Sequence, residues 1–234
     1  MGTYPQRPAS AVVFFDIDGT LLRRSGPHHR LALEAATVRV AGVCASTDNV
    51  PVQGMMDRKI LELMLVNAGM PAGAIAAAMP ALVDAAQRLY LADSPYTLRH
   101  RVCPGARAAL DRLSAGGIPL GLVTGNLSRI GWRKMQRAGL RRYFTFGAFA
   151  EEAEDRAGLV KRAVAYARSR GWVGRHTRMW HIGDHENDIL AARANGVGSI
   201  AVATGLSPAR DLSALSPDRL LRDLRALRLE MLVA

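Results

Sequence analysis

The feature that most constrains the fold is a series of short apolar runs that alternate with helical patterns. The runs lie at residues 11–15, 118–123, 143–149, 178–182 and 199–203. Short continuous apolar runs are expected of strands that are buried on both faces of a sheet. The helical patterns between the later runs end on glycines, which suit a helix C-cap. This alternation predicts an α/β fold with a doubly wound, Rossmann-like parallel sheet.

One long region between the first and second runs breaks this alternation. No convincing strand is found from about residue 23 to residue 101, and three stretches there have helical patterns: HHRLALEAATVRVAG, DRKILELMLVNAG and AIAAAMPALVDAAQRLYLA. The second of them has a broad apolar face. We therefore expect an all-helical subdomain at 23–101, inserted into a core formed by residues 1–22 and 102–234.

The C-terminal segment SPDRLLRDLRALRLEML also has a helical pattern. Ser216 is a suitable N-cap and Pro217 a suitable first helical residue. Leu220, Leu224 and Leu227 would share one face with Met231. The pattern favours a helix packed on the core over one that binds a membrane.

Composition excludes several classes of protein. Nearly half of the 234 residues are apolar, and the formal net charge is +11. The arginines are scattered and form no dense basic block with aromatic residues, so a solvated basic surface is favoured over a nucleic-acid partner. The first residues lack the apolar segment of a signal peptide, and no stretch of about 18 apolar residues suggests a membrane span. We expect a cytoplasmic protein, monomeric or homodimeric, without a nucleic-acid or membrane partner.

The two cysteines, Cys44 and Cys103, do not form a disulfide framework and have no metal-ligand spacing. Both are predicted to be small buried residues.

Polar motifs follow three of the apolar runs directly. They are DIDGT at 16–20, TGN at 124–126 and GDHEND at 183–188. In an open parallel sheet, ligands bind beyond the carboxyl ends of the strands. Acidic, hydroxyl and glycine residues should therefore gather at one edge of this sheet.

In DIDGT, Asp16 and Asp18 would lie on the same side of the chain if the strand continues through them. Two adjacent carboxylates repel each other unless a cation lies between them. Magnesium prefers a few carboxylates together with water and phosphate oxygens, and one aspartate would remain available as a nucleophile toward phosphorus. The alternative is a strand end followed by an Asp-containing turn.

In TGN, the hydroxyl of Thr124 and the backbone amides near Gly125 could bind phosphate oxygens. The alternative is an ordinary turn between strand and helix, with Asn126 or Ser128 as the N-cap.

The three motifs, in this order and each after a strand, resemble those of the haloacid dehalogenase-like (HAD) hydrolase superfamily. The resemblance covers nearly the whole chain, from Asp16 to the ATG at 203–205. The predicted helical insert is similar to the helical cap of the phosphoglycolate-phosphatase-like branch. DxDGT paired with GDxxxD is a highly specific combination.

The resemblance implies a role for each matching residue. Asp16 would attack phosphorus and form an aspartyl-phosphate, and Asp18 would act as general acid and then as general base. Asp184 would complete a Mg²⁺ site with Asp16 and the carbonyl of Asp18, and Asp188 would be a supporting or water-mediated ligand. Thr124 would hold the phosphoryl group.

Substrate and phosphate binding would further involve the motif residues Gly19, Thr20, Gly125 and Asn126. Arg58 and Lys59, at the start of a helix in the insert, are candidates for binding an anionic substrate tail. His28 and His29 could contact substrate, but we expect them to lie in a solvated linker. We expect a solvated acidic loop at Glu151, Glu152 and Glu154, and not metal ligands.

One motif departs from the family pattern. Such phosphatases usually carry a lysine after the third strand, where this chain has GAFAEEAEDRAGLVKRA. Arg156 is the first candidate for that role and Lys161, expected inside a helix, is the second. Arginine supplies charge and a bidentate fork but is not isosteric with lysine. The alternative for Arg156 is a surface ion pair with Glu154 or Asp155.

The leading hypothesis is a magnesium-dependent phosphatase that hydrolyses a small phosphorylated metabolite through an aspartyl-phosphate. A phosphomutase of the same superfamily is one alternative. A non-catalytic binding protein that kept the fold is another, and the departure at the basic motif leaves it open. Dehalogenase and phosphonate chemistry are disfavoured.

Overall fold

A computed structural model of the chain describes residues 8–23 and 26–233. These residues contain a six-stranded sheet in the order β3-β2-β1-β4-β5-β6, and every neighbouring pair is parallel. The strands are β1 (Ala11–Phe15), β2 (Leu120–Val123), β3 (Phe146–Ala148), β4 (Arg178–Gly183), β5 (Gly198–Val202) and β6 (Arg219–Leu221). The predicted Rossmann-like sheet is confirmed, with one strand more than the sequence indicated.

Nine α-helices lie in the described residues. They are α1 (His28–Ala41), α2 (Asp57–Asn67), α3 (Ala72–Ala92), α4 (Ala106–Ala115), α5 (Ser128–Ala138), α6 (Arg156–Ser169), α7 (Glu186–Ala194), α8 (Ala209–Ala214) and α9 (Glu230–Val233). Short 3₁₀ turns connect several of them.

Strand β1 shows why the sheet is covered on both faces. Val12 and Phe14 belong to a buried cluster with α6 and α7, whereas Val13 and Phe15 belong to a second buried cluster with α4 and α5. Successive side chains of a strand point to opposite faces, so a strand buried on both faces is apolar throughout. Since β1 lies between β2 and β4, the strand order reverses beside it, which is where open α/β sheets bind ligands.

Helices α1, α2 and α3 form the insert between β1 and α4, called the helical insert below. Within the described residues 26–98 this part of the chain contains no strand. Helices α1 and α3 pack on each other along their length, and α3 also contacts α5 of the core. The apolar face of α2 is buried through Ile60, Leu61 and Leu65. The bounds 23–101 remain a prediction, and Arg24 and Ser25 lie outside the described residues.

The prediction of a long C-terminal helix is wrong. Residues 219–221 form the edge strand β6 beside β5, and a 3₁₀ turn and the short α9 follow. The carboxylate of Asp218 accepts hydrogen bonds from the backbone N–H and the hydroxyl of Ser199, and Ser216 has a positive φ of 50° instead of acting as an N-cap. Pairing with β5 outweighs the local helical pattern.

The cysteine prediction is half right, because Cys103 is buried but Cys44 is exposed. No helix among residues 8–23 and 26–233 is long and apolar enough to cross a membrane.

Candidate functional site

The three polar motifs meet at the carboxyl edge of the sheet. Asp16 follows β1 and Asp184 follows the neighbouring β4, whereas Asp188 lies in the first turn of α7. Oxygen atoms of these three carboxylates lie within 4.8 Å of one another, and all three residues are buried. Three buried carboxylates at such distances could hold a metal ion, because uncompensated negative charges in a low dielectric repel one another strongly.

This crowding changes the acidity of the carboxyl groups. Burial raises the pKa of Asp16 to about 6, against the opposing charge of Arg156. Burial and the charge of Asp16 together raise the pKa of Asp184 to about 8. Burial also disfavours the charge of Asp188, but Arg156 and a hydrogen bond from His181 outweigh it and lower the pKa of Asp188. Asp188 is therefore the stable anion of the three, and Asp184 gains most from an added cation.

Arg156 supplies positive charge to this cluster. Its Nη1 lies 3.3 Å from Oδ1 of Asp16 and 2.6 Å from Oδ1 of Asp188, and the residue is buried. It is the first residue of α6, and Asp155 is the N-cap that accepts a hydrogen bond from the N–H of Gly158. The surface pairing of Arg156 with Asp155 or Glu154 is therefore not formed. Lys161 is exposed on α6, so Arg156 is the one of the two candidates that reaches the carboxylates.

The surroundings of Asp184 fit a small cation. The hydroxyl of Thr20 donates to its Oδ1 at 3.0 Å. A Cβ atom at Gly19 or at Gly205 would lie 2.1 Å or 1.7 Å from its Oδ2, so only glycine leaves room there. Hard oxygen donors in a compact, shielded position are what magnesium prefers.

The TGN turn is joined to the acidic motif by side-chain hydrogen bonds. The amide nitrogen of Asn126 donates to the Thr124 hydroxyl at 2.8 Å and to Oδ2 of Asp18 at 2.9 Å. Neither Asn126 nor Ser128 caps α5, whose N-cap residue is Leu127. The carboxylate of Glu151 instead accepts the Ser128 N–H, so Glu151 is not part of a solvated loop.

Lys134 belongs to this site and was not predicted. Its Nζ lies 2.5 Å from Oδ2 of Asp18, 2.6 Å from Oδ1 of Asn126 and 3.0 Å from Nδ1 of His29. The sequence does contain a signal for it. Lys134 lies four residues after Ile130 and four before Ala138, both of them buried, so a lysine interrupts the apolar face of α5.

Two further residues come from the helical insert. Nε2 of His29, at the start of α1, lies 2.9 Å from Oδ2 of Asp57, at the start of α2. The same Oδ2 accepts the backbone N–H of Leu127, and the backbone N–H of Asp57 donates to the carbonyl of Gly125. The expectation that His29 lies in a solvated linker is wrong. Arg58, next to Asp57, does not line the site cavity.

A loop of the helical insert also covers the acidic cluster. The carbonyl of Gly54 accepts hydrogen bonds from Nδ2 of Asn187 at 2.9 Å and from Nη2 of Arg156 at 3.4 Å. A Cβ atom at Gly125 would lie 2.3 Å from the carbonyl oxygen of Met55. The insert is thus closed onto the core in this structure.

Core and insert enclose a cavity of about 580 Å³ between them. Its core side carries predicted site residues, namely Asp16, Asp18, Thr124, Gly125, Asn126, Arg156 and Asp184. Its insert side carries polar and apolar side chains, among them His29, Arg30, Leu33, Thr47, Gln53 and Ile60. The predicted residues Gly19, Thr20 and Asp188 are not part of this lining. A cavity of this size suits a small molecule.

The sheet is doubly wound, and a buried carboxylate cluster with a paired arginine lies where its strand order reverses. These features define a Rossmann-like α/β enzyme with an acidic centre. Residues 11–196 match the model of the haloacid dehalogenase-like hydrolase family, and the chain belongs to this family. The resemblance found in the motifs and the expectation of a hydrolase are confirmed.

Curated relatives of this chain carry one common name. The phosphoglycolate phosphatase of Agrobacterium fabrum is 28% identical over 232 residues, which cover 94% of this chain and 92% of the relative. That of Pseudomonas fluorescens is 27% identical over 230 residues, with 92% and 78% covered.

Solved structures share the fold. CbbY from Rhodobacter sphaeroides, in complex with phosphate, has a TM-score of 0.68 at 19% identity and covers 95% of this chain and 99% of its own. β-Phosphoglucomutase from Clostridium difficile has a TM-score of 0.67 at 16% identity, with 94% of each chain covered.

Proposed function

We propose that this protein is a magnesium-dependent phosphatase that hydrolyses a small phosphorylated metabolite through an aspartyl-phosphate intermediate. The observation that carries the proposal is the pairing of Asp16 and Asp18 in one cavity. Asp16 lies beside Arg156, and Asp18 faces the same space with 39% of its side chain exposed. The names of the curated relatives support a phosphoric monoester as the substrate.

In the first step, a carboxylate oxygen of Asp16 attacks phosphorus while the ester P–O bond breaks. The leaving alkoxide takes a proton from Asp18. Thr124 and the backbone amides near Gly125 hold the phosphoryl oxygens, and Arg156 supplies charge beside Asp16. In the second step, Asp18 accepts a proton from water, the oxygen of water attacks phosphorus, and the Asp16–P bond breaks to release phosphate.

Asp16, Asp184 and the carbonyl of Asp18 would hold the magnesium ion, with Asp188 in support. The ion would neutralise the developing charge on the phosphoryl oxygens. Arg156 would take the place of the lysine that such phosphatases usually carry.

The helical insert, at the expected bounds 23–101, would act as a cap that excludes water and selects the leaving group. Its contacts through Gly54, Met55 and Asp57 support this role.

The purified protein is expected to release phosphate from p-nitrophenyl phosphate only when magnesium is present, since without it Arg156 is the cation paired with the cluster of Asp16, Asp184 and Asp188 and does not balance all three carboxylates. Activity is measured with magnesium, after chelation, and after magnesium is restored. A panel of phosphoglycolate, sugar, nucleotide and polyol phosphates then defines the substrate. Metal-independent turnover would contradict the proposal, as would isomerisation of sugar phosphates without release of phosphate.

The metal-free protein is expected to lose stability as the pH rises from about 5 to about 8. Asp16 and Asp184 have folded-state pKa values of about 6 and about 8, above the ordinary 3.8. The stability that they contribute is complete below the ordinary pKa and is lost as the pH rises through the raised values. Asp188, with a lowered pKa, acts in the opposite sense but only at more acidic pH.

Magnesium at about 100 times its Kd should raise the free energy of unfolding by about 2.7 kcal/mol. The gain in Tm on adding magnesium should be larger at about pH 8, where the carboxylates are ionised, than at about pH 5. Thermal unfolding with and without magnesium measures this, and Asp184→Asn should flatten both the pH dependence and the response to magnesium. Equal shifts in Tm on adding magnesium at about pH 5 and about pH 8 would argue against a metal site at these carboxylates.

A further inference from the structure

We propose that Lys134 is a positioning residue that orients the carboxylate of Asp18 for proton transfer, and that His29 makes this orientation depend on closure of the helical insert. The proposal rests on the proposed phosphatase function, because it concerns the group that protonates the leaving alkoxide. Neither residue belongs to the three motifs that define the site in the sequence.

Two donors converge on one oxygen of Asp18. Nζ of Lys134 donates to Oδ2 at 2.5 Å, and Nδ2 of Asn126 donates to the same atom at 2.9 Å. Among the described residues, Oδ1 of Asp18 receives no side-chain hydrogen bond. The carboxyl group is thus held through Oδ2, so Oδ1 is the oxygen that would carry the proton given to the leaving alkoxide and would take one back from the hydrolytic water.

The ammonium group of Lys134 is itself held in place. Its side chain is 1% exposed, and a buried ammonium requires partners for its charge and for its three N–H groups. It has three partners, namely Oδ2 of Asp18, Oδ1 of Asn126 and Nδ1 of His29. Each N–H therefore has one acceptor, which fixes the ammonium and with it the carboxylate.

The hydrogen bonds of Lys134 continue into the helical insert through His29. Because an ammonium group only donates, Nδ1 of His29 accepts, and a neutral ring then carries its hydrogen on Nε2. Nε2 donates to Oδ2 of Asp57, which also accepts the Leu127 N–H. His29 lies on α1 and Asp57 on α2, so the network is complete only when the insert lies on the core. The orientation of Asp18 is thereby coupled to closure.

The predicted consequence depends on the leaving group. General acid catalysis matters most when the leaving group is a poor one, and it contributes about 10²- to 10⁴-fold. Lys134→Met should therefore lower kcat for an alkyl phosphate by about 10²-fold but lower kcat for p-nitrophenyl phosphate much less. A merely structural loss would reduce both activities in parallel. The alkyl-to-aryl ratio of kcat is the decisive measurement.

The matched control is Lys161→Met, which removes an exposed lysine of α6 and should leave the ratio unchanged. Lys134→Arg keeps the charge and should recover part of the ratio, whereas Lys134→Gln should not. These two variants decide the question if Lys134→Met does not fold. An unchanged ratio in every folded Lys134 variant would overturn the proposal.

The link to the insert is tested with His29→Ala, which should lower the same ratio by less than Lys134→Met does. An unchanged ratio in His29→Ala would overturn the coupling to closure and leave the role of Lys134 intact.

A readout without turnover separates this proposal from the proposed function. Urea unfolding of Lys134→Met, Asp18→Asn and the double variant should give non-additive midpoint shifts, because the two side chains interact directly. Additive shifts would mean that the pair is not formed in solution. If the pair is present but the wild-type protein hydrolyses no phosphate ester, the proposed function fails, and the role in proton transfer fails with it.

Discussion

Replacing Asp16 by asparagine is expected to lower kcat for phosphate release by roughly 10⁴-fold or more, the scale seen when an enzyme loses its nucleophile. An amide oxygen does not displace the alkoxide to form an acyl-phosphate, so the loss should appear with alkyl and aryl substrates alike. The measurement is steady-state release of phosphate with magnesium present. Intact-mass analysis after brief reaction and acid quench should show a phosphorylated adduct on the wild-type protein and none on Asp16→Asn.

The same substitution should not unfold the protein. Burial raises the pKa of Asp16 to about 6, so its charge is disfavoured in the folded state and a neutral amide relieves that cost. The metal-free Tm of Asp16→Asn should therefore equal or exceed that of the wild type near neutral pH. Asp48→Asn, at an exposed position of the helical insert, is the matched control and should keep full activity. Substantial activity in folded Asp16→Asn would eliminate the nucleophile assignment.

The grouping of polar residues at the carboxyl edge of the sheet could be predicted from the sequence because its signals are local. Asp16 and Asp184 each follow directly on an apolar run, and parallel strands place their carboxyl ends at one edge. The structure brings these two residues together with Asp188. Arg156 was also accessible to this reasoning, since it follows the third strand closely enough to reach that edge.

Lys134, His29 and Asp57 were missed for a physical reason. Lys134 is 116 residues from Asp18 and 105 residues from His29. No local pattern encodes such a pairing, because it depends on how the helical insert lies on the core. A lysine on the apolar face of α5 indicates a buried partner but does not say which one.

The prediction of a C-terminal helix is wrong for a different reason, because here a local pattern is present but the segment forms another structure. Its leucine spacing and the Ser216-Pro217 pair are compatible with a helix. Part of this segment, however, pairs with β5 as the strand β6, where Leu221 is buried while Leu220 stays exposed. Tertiary pairing overrides a weak helical preference when a strand edge is available.

Removing the guanidinium of Arg156 is expected to reduce both activity and stability. Arg156 contacts Asp16 and Asp188 from a buried position, so Arg156→Met leaves carboxylates without a partner. Breaking a buried ion pair in this way costs about 3–5 kcal/mol. Loss of one preorganised charge beside the reacting group lowers kcat by about 10²- to 10³-fold.

Arg156→Lys separates the need for charge from the need for the fork of the guanidinium. The single ammonium of a lysine can contact Asp16 or Asp188. It cannot make all three contacts of the arginine, whose Nη1 bridges both carboxylates while Nη2 reaches the carbonyl of Gly54. Urea unfolding should therefore show that Arg156→Lys recovers most of the stability lost in Arg156→Met, while kcat recovers only in part. Lys161→Met, on the exposed side of the same helix, should match the wild type in both measurements. If Arg156→Met kept wild-type kcat, the arginine would be a structural partner of Asp188 alone, and the phosphoryl charge would have to be balanced by other groups at this edge of the sheet.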